Sequence, residues 1–416
     1  MNYKIVFFFT LCTTILSNAQ HTDVLKKYAI GFDHLTADSF SFLDNELTDI
    51  RIVGYGEDTH GTSEFTILAK ELMHYLSEKQ GFKICIIETG FGEGQYLNDY
   101  IQGKRDDLKS ILDNHNTSWR YETKEFIELM NQLKEYNQNH LDKIHLYGCE
   151  MQIVLADINR IREYLSNVGS EYQIDGFEKH IWQSIEDSEK TDYYLSYIKL
   201  KKHFENNYEE FIRKTSERKF NIAYQHIMVL GQFVTAIHQT TVQRKHDLRD
   251  MYMAENIQWI LNLHGEKSKA LYWAHNSHVG DWVSNGIVDV AGHQLRKVYG
   301  SAYYAIATDF GTGEFLAYPF DANRTNNWNF KTFMYKEVPK NTFSYSLKQM
   351  GTPNTFLKLR KAKTNPELRM YLEAPITTVS GAGARARNNT IETNELGKAF
   401  DAIIYLDKTN PINWIK

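Results

Sequence analysis

Residues 51–87 read RIVGYGEDTHGTSEFTILAKELMHYLSEKQGFKICII, and three structural elements follow one another within them. The apolar runs at 51–55 and 83–87 have the composition of short buried strands. Between these runs, apolar residues recur at spacings of three and four, namely Phe65, Leu68, Leu72 and Leu76. That spacing predicts an amphipathic helix over 63–79. A strand–helix–strand unit implies parallel strands joined by a right-handed crossover.

The rest of the chain extends this unit into a larger sheet. Further apolar runs predict strands at 144–148, 270–274, 303–308 and 402–405. A long stretch at about 155–264 has helical periodicity throughout, which predicts a large helical insertion between two of these strands. We therefore expect an α/β fold with a parallel-sheet core and helices on its faces. Its ligand cleft should lie at the C-terminal edge of the strands.

The first nineteen residues have the pattern of a secretory signal peptide. Lys4 precedes an apolar run at 5–16, and small residues end with Ala19. The apolar run is too short to span a bilayer, so we expect cleavage after Ala19 and no stable membrane insertion. The mature protein, 20–416, is then a single catalytic domain that carries the helical insertion. Its predicted location is across the inner membrane, in the periplasm.

Charge and cysteine content narrow the class of protein further. The 416 residues carry a formal net charge of −5 without a basic run, which argues against a nucleic-acid partner. Beyond the signal peptide, Cys85 and Cys149 are the cysteines of the chain, and both stand in apolar strand-like runs. That position predicts buried free thiols rather than a disulfide.

Ionisable residues gather at the predicted strand ends. Five of them stand at or just past the end of a strand: Glu57, Glu88, Glu150, His275 and Asp309. Because the carboxyl ends of parallel strands share one edge of a sheet, where ligand crevices form, we expect these side chains to lie together. The sequence therefore predicts a site at this edge.

Two short stretches provide its acid–base chemistry. Glu57 and His60 are three residues apart in a Gly-rich turn, and a carboxylate beside an imidazole orients it as a general base for water. His275 and His278 share a second turn with the same spacing. Three histidines and two glutamates also suit zinc or manganese, although no His-Glu-x-x-His element is present. From the residues alone, metal-free catalysis and a metal site both stay open.

Other hydrolase and nucleotide signatures are missing from the sequence. It contains no Gly-x-Ser-x-Gly elbow and no glycine-rich phosphate loop. The glycine-rich, basic stretch SGAGARAR at 380–387 is interpreted as a flexible loop rather than a binding loop. Trp119 is a candidate to line a cleft for a large, partly apolar ligand, although packing of a helix start explains it equally well.

Taken in order, these motifs resemble the erythromycin esterase family over about 35–405. The matching stretches are GYGEDTHGTSEF (54–65), IIE (86–88), SWR (118–120), RDMYMAEN (249–256), WAHNSHV (273–279), AGHQL (291–295), YYAI (303–306) and AFDA (399–402). The resemblance implies a metal-free and cofactor-free hydrolase that opens the lactone ester of 14-membered macrolide antibiotics and so confers resistance. It assigns the general base to His60, and it places Glu57, Glu88, His275 and His278 in the surrounding catalytic network.

Substrate contacts are predicted at Trp119, Lys70, Glu150 and Arg249. Some macrolide-active members of the family carry an arginine nine residues after the general-base histidine, where this chain has Ala69 with Lys70 beside it. We expect Lys70 to supply the charge from a different helical angle. The alternatives are an exported hydrolase of another lactone or ester, and an exported carrier that binds haem or metal through its histidines.

Overall fold

The computed structural model describes residues 21–114, 119–284, 288–319, 330–379, 383–386 and 391–415. The predicted signal peptide at 1–19 lies outside these ranges, as do Ser118 of the SWR stretch and residues 380–382 and 387 of the stretch at 380–387. Within the ranges, no helix combines the length and the apolar character needed to cross a membrane.

Fourteen strands are present in the described ranges. They are β1 (Ala29–Phe32), β2 (Ile52–Glu57), β3 (Ile84–Gly90), β4 (His145–Glu150), β5 (Ala270–His275), β6 (Val283–Ser284), β7 (Val288–Asp289), β8 (Tyr303–Pro319), β9 (Lys331–Tyr335), β10 (Asn354–Leu357), β11 (Ile376–Val379), β12 (Arg385–Ala386), β13 (Ile391–Asn394) and β14 (Ala402–Thr409). The central sheet has the order β1-β10-β14-β8-β2-β5-β3-β4. Its strands from β14 to β4 are parallel, which confirms the predicted parallel core, whereas β1 and β10 add an antiparallel edge.

Helices cover both faces of this sheet. They are α1 (Ser63–Lys79), α2 (Phe91–Ile101), α3 (Leu108–Asn114), α4 (Lys124–Asn139), α5 (Leu155–Asn167), α6 (Lys190–Asn206), α7 (Tyr208–Lys214), α8 (Glu217–Ile237), α9 (Val242–His264), α10 (Asn276–Val279), α11 (Ala291–Tyr299), α12 (Phe343–Lys348), α13 (Leu359–Ala362), α14 (Pro366–Glu373) and α15 (Leu396–Ala399). The first of them has the predicted bounds. Helices α5 to α9 lie between β4 and β5, where the periodicity predicts a helical region.

Two apolar cores result, one on each face of the sheet. Successive strand residues point to opposite faces, so Ile52 packs into one core and Val53 into the other. Helices α5, α8 and α9 fill the first core, and α1 and α4 fill the second. Cys85 and Cys149 are buried free thiols, as predicted.

The strand ends converge as expected, with one exception. Glu57, Glu88, Glu150 and His275 end or nearly end their strands at the same edge of the sheet. The prediction that a strand ends near Asp309 is wrong, because β8 continues to Pro319. The continuation reaches the turn after β2, where the Leu316 N–H donates to the Gly61 carbonyl at 3.0 Å.

Candidate active site

The turn after β2 holds an oriented imidazole. Nδ1 of His60 lies 2.5 Å from Oε1 of Glu57, and the indole N–H of Trp273 donates to Oε2 of the same carboxylate at 2.9 Å. Because an ionised carboxylate can only accept, Nδ1 carries the proton in this pair. The lone pair of the imidazole is then on Nε2, which is the nitrogen that can take a proton from water.

Close contacts at two glycines fix the position of this turn. A Cβ at Gly61 would lie 1.7 Å from the carbonyl oxygen of Leu316, and a Cβ at Gly56 would lie 2.3 Å from Oδ1 of Asn276. Any side chain at either position would displace a neighbour. The glycines therefore allow β8 and α10 to approach the turn and hold it in place.

Arg120 lies beside the imidazole of His60. It stands on the 3-10 turn Trp119–Tyr121 that precedes α4, and its Nη1 is 2.9 Å from Nδ1 and 3.2 Å from Nε2 of His60, and 3.1 Å from Oε2 of Glu88. Burial alone would lower its pKa, but Glu88 and other neighbouring groups, among them Glu57, together raise it, so the guanidinium stays charged. A fixed cation at this point can stabilise an oxyanion that forms next to His60.

Glu88 connects the two halves of the site. Its Oε2 accepts from Arg120 and from the backbone N–H of His275 at 2.9 Å, and its Oε1 accepts from Nη2 of Arg249 at 2.7 Å. Burial would raise the pKa of Glu88, but the positive charge of Arg120 together with His278 and Arg249 holds it well below its usual range. Glu88 is therefore ionised and fixes the position of both arginines.

His275 is a structural member of the site. Burial, and after it the neighbouring His60, lowers the pKa of its imidazole to about 3, so the ring is neutral. Nε2 donates to the Asp58 carbonyl at 3.1 Å, and Nδ1 lies 2.7 Å from the hydroxyl of Ser277. Since both nitrogens have partners, His275 has no free lone pair with which to activate water. The ring centroids of His275 and His60 lie 5.3 Å apart, so His275 limits the space around the His60 imidazole.

His278 belongs to a second carboxylate–imidazole pair. Nδ1 lies 2.7 Å from Oδ1 of Asp250, and Nε2 lies 2.7 Å from Nη1 of Arg249. Because a guanidinium can only donate, Nε2 accepts and the ring is neutral in this arrangement. Burial opposes protonation, but the carboxylates of Asp250 and Glu88 together raise the pKa of His278. Protonation of Nε2 requires its contact with Arg249 to open.

The predicted substrate contacts have three different outcomes. Arg249 and Glu150 bind each other, with Nε of Arg249 at 2.8 Å from Oε1 of Glu150, so both belong to the network. Trp119 is half-buried next to the network and packs on Phe330, with ring centroids 4.5 Å apart. Lys70 is not brought to the network, because its position on α1 points it at α4, where it pairs with Glu128 at 3.3 Å.

Two members of the site, Arg120 and Asp250, were not predicted from the sequence. Both stand inside stretches that matched the family pattern, next to the predicted contacts Trp119 and Arg249. A charged residue between two aromatic residues, just before a helix, was the available signal for Arg120.

The donors do not have the arrangement of a metal site. Across the residues that the structure describes, no group of three or more histidine, cysteine or carboxylate side chains is placed to hold a metal ion. The carboxylates instead face guanidinium groups, with Arg120 and Arg249 in contact with Glu88 from two sides. These two cations already supply the positive charge that the carboxylates need.

Comparison with known proteins identifies the family. The model of the erythromycin esterase family matches residues 77–409. Erythromycin esterase type II of Escherichia coli is 25% identical over 90% of this chain and 93% of its own length. A putative hydrolase of Bacillus subtilis, YbfO, is 27% identical over 62% of this chain and 65% of its own.

A solved structure has the same fold. A mutant of the erythromycin esterase EreC in its open conformation superposes with a TM-score of 0.63 at 16% identity, covering 89% of this chain and 94% of that one. The family model and the curated relatives extend this likeness from fold to chemistry. The chain therefore belongs to the erythromycin esterase family and is a hydrolase of the esterase class.

Proposed function

We propose that this protein opens the lactone ester of 14-membered macrolide antibiotics and so confers macrolide resistance. The observation that carries the proposal is the arrangement of Glu57, His60 and Arg120, with an oriented basic nitrogen next to a fixed cation. Water activation and oxyanion stabilisation are the two requirements of ester hydrolysis without a covalent intermediate.

The reaction follows from these three side chains. Nε2 of His60 takes a proton from water as the water oxygen bonds to the lactone carbonyl carbon. The negative charge that develops on the carbonyl oxygen lies near the Arg120 guanidinium, and Glu57 stabilises the imidazolium through Nδ1. Collapse of the tetrahedral intermediate breaks the ring C–O bond, and His60 returns the proton to the departing alkoxide. The product is a ring-opened hydroxy acid.

The remaining residues keep this geometry. Ionised Glu88 restrains Arg120, and Arg249 links Glu88 to Glu150 and to His278 on the helical side. Trp119 is suited to contact the apolar portion of a large ligand at the border of the network. The proposal also includes export: the signal peptide at 1–19 would place the enzyme in the periplasm, where it meets the drug before the ribosome does. Fractionation of cells that express the full chain tests the location.

Mass spectrometry of erythromycin incubated with purified mature protein tests the function. We expect the substrate to gain one water, about 18 Da, with and without EDTA, and we expect His60→Ala to abolish the gain. A gain that EDTA abolishes would favour a metal-dependent reaction instead.

Glu57→Gln separates catalysis from binding. The amide can still hold the ring in place but cannot neutralise an imidazolium, so we expect turnover to fall about a hundredfold or more while substrate binding persists. Full turnover by this variant would contradict the assigned network.

A second candidate is hydrolysis of a different lactone or ester by the same residues. It is favoured by Ala69, which occupies the place of an arginine found in some macrolide-active members, and by Lys70 lying outside the network. In that case erythromycin would gain no water, while a panel of lactones and esters would contain a substrate whose hydrolysis His60→Ala abolishes.

A further inference from the structure

A short segment at 410–415 lies between the two stretches of polypeptide that carry His60 and Arg120. It begins immediately after the last residue matched by the family model. On one side it forms an antiparallel bridge between Pro411 and Thr62, and on the other a bridge between Trp414 and Thr123. The bridges lie two residues after His60 and three residues after Arg120, so the segment contacts both stretches close to their functional side chains.

Backbone hydrogen bonds alternate between the two sides. Toward the His60 turn, the Ser63 N–H donates to the Asn410 carbonyl at 2.9 Å and the Ile412 N–H donates to the Gly61 carbonyl at 3.0 Å. Toward the Arg120 side, the Lys124 N–H donates to the Asn413 carbonyl at 3.0 Å, and the Ile415 N–H donates to the Glu122 carbonyl at 3.0 Å. The segment thus acts as a short strand inserted between the two catalytic stretches.

Glu125 connects all three pieces through side chains. Its Oε1 accepts from the Ser63 hydroxyl at 2.6 Å and from the Asn413 amide at 2.5 Å, and the Asn413 backbone N–H donates to the same carboxylate at 3.2 Å. Only 4% of Glu125 is exposed. Burial would raise its pKa, but these hydrogen bonds, that from Ser63 first, lower it, so the carboxylate is ionised.

We propose that Glu125 and Asn413 are positioning residues for the hydrolysis: their contact sets the distance between His60 and Arg120. The inference rests on the proposed role of His60 as general base. Nε2 of His60 and Nη1 of Arg120 lie 3.2 Å apart although they stand on separate stretches of chain. A displacement of about 1 Å between reacting groups lowers turnover by up to about a hundredfold. The contact between Glu125 and Asn413, here called the joint, lies close to both groups and therefore controls rate rather than affinity.

The test exchanges the two partners. Asn413→Asp sets a second carboxylate against Glu125 and should open the joint, whereas Asn413→Asp combined with Glu125→Gln restores one amide and one carboxylate with their places reversed. Glu128→Gln is the matched control, since Glu128 stands one turn along α4 and pairs with Lys70 outside the joint.

With erythromycin as substrate, we expect Asn413→Asp to lower kcat about tenfold to a hundredfold with KM changed by less than about twofold. The exchanged double variant should recover kcat to within about threefold of the unaltered protein. The control Glu128→Gln should have the same kcat as the unaltered protein. The proposal is overturned if folded Asn413→Asp keeps full kcat and loses only thermal stability. It is equally overturned if the folded double variant does not recover.

A substrate-independent measurement separates this proposal from the proposed function. In protein labelled with 15N-arginine, the guanidinium signals of Arg120 are assigned by their loss in Arg120→Lys. If the unaltered protein opens no macrolide, the proposed function fails, and these signals still decide the role of the joint. A shift or broadening in Asn413→Asp that is reversed in the double variant supports the proposal, and unchanged signals in Asn413→Asp overturn it.

Discussion

Two carboxylate–imidazole pairs in this protein share their chemistry and differ in their surroundings. Glu57 and His60 lie at the sheet edge beside a guanidinium, and the imidazole side chain is 10% exposed. Asp157 and His226 lie 2.8 Å apart in the interior, where they are 0% and 1% exposed. Burial, and after it Arg160, lowers the pKa of His226 to about 3, while burial raises that of Asp157 well above its usual value. The His226 ring is therefore neutral, and burial disfavours a negative charge on Asp157.

The difference shows that such a pair does not by itself make a catalytic site. A general base needs a lone pair that water can reach and a cation near the charge that the reaction creates. The pair at the sheet edge has an imidazole that stays partly exposed, and it has Arg120 as the cation. The interior pair packs under Phe91, whose ring centroid lies 5.0 Å from that of His226.

The largest expected effect distinguishes the two histidines directly. His60→Ala should lower kcat about a thousandfold or more, because His275 is held by Asp58 and Ser277 and His278 by Asp250 and Arg249, so neither ring can replace it. His226→Gln should leave kcat unchanged and lower the free energy of unfolding by about 1–3 kcal/mol, since a buried hydrogen bond is disturbed. Steady-state kinetics and denaturant unfolding of both variants check the contrast. A comparable loss of kcat in His226→Gln would show that the interior pair participates in the reaction.

Arg120→Lys tests the cation that distinguishes the edge pair. Lysine keeps the charge but cannot contact His60 and Glu88 with the fixed geometry of a guanidinium. We expect kcat to fall about a hundredfold to a thousandfold, the range for removing one oxyanion donor. Measured kcat and KM with the best ester substrate decide this, and an unchanged kcat would remove Arg120 from the proposed mechanism.

A smaller effect concerns stability near the interior pair. Burial, and after it the Asp157 charge, raises the pKa of Glu93 well above its usual value, and neither of its carboxylate oxygens has a hydrogen-bond partner in the structure. The folded state therefore holds a proton that the unfolded state releases above about pH 4.5, so this group destabilises the fold increasingly as pH rises from there. Glu93→Gln should raise Tm by a few degrees at pH 8, with little gain near pH 4. Thermal unfolding at both pH values checks the sign, and the catalytic rate should not change.

The smallest expected effect is at Lys70. Its ion pairs are half-buried between α1 and α4 and lie outside the network, so Lys70→Ala should leave kcat and KM unchanged and alter stability by about 1 kcal/mol or less. A raised KM would return Lys70 to the substrate contacts, where the sequence comparison placed it.

The regular elements of the fold were predictable because the spacing of apolar residues in the sequence indicates helices and strands directly. Helix α1 has the expected bounds, and β2 to β5 have the expected positions along the chain and end at the expected edge, because their side chains alternate between two apolar cores. The irregular connections were not predictable in this way. Gly383, in the stretch interpreted as a flexible loop, bridges Thr59 and accepts from the His60 N–H at 3.4 Å, and no periodic signal marks such a contact.

The site was predictable where its residues end strands, and less so elsewhere. Glu57, Glu88 and His275 are placed by the sheet itself. Arg120 reaches the site from the 3-10 turn before α4, and Arg249 reaches it from α9, so their partners depend on how helices pack against the sheet. Pairing across layers is set by tertiary structure, which explains why the contact between Glu150 and Arg249 was not predicted; their role as substrate contacts stays a prediction.

The long strand β8 has a consequence for anyone who selects variants with new ester preferences. Its first residues pair with β2 in the core, and Leu316 near its end lies against the backbone of Gly61, so no side chain fits at residue 61 without displacing the strand. Libraries randomised at residue 61 should therefore consist mostly of unfolded clones. Residue 316 meets Gly61 through its backbone atoms, so its half-buried side chain is the better position for diversity.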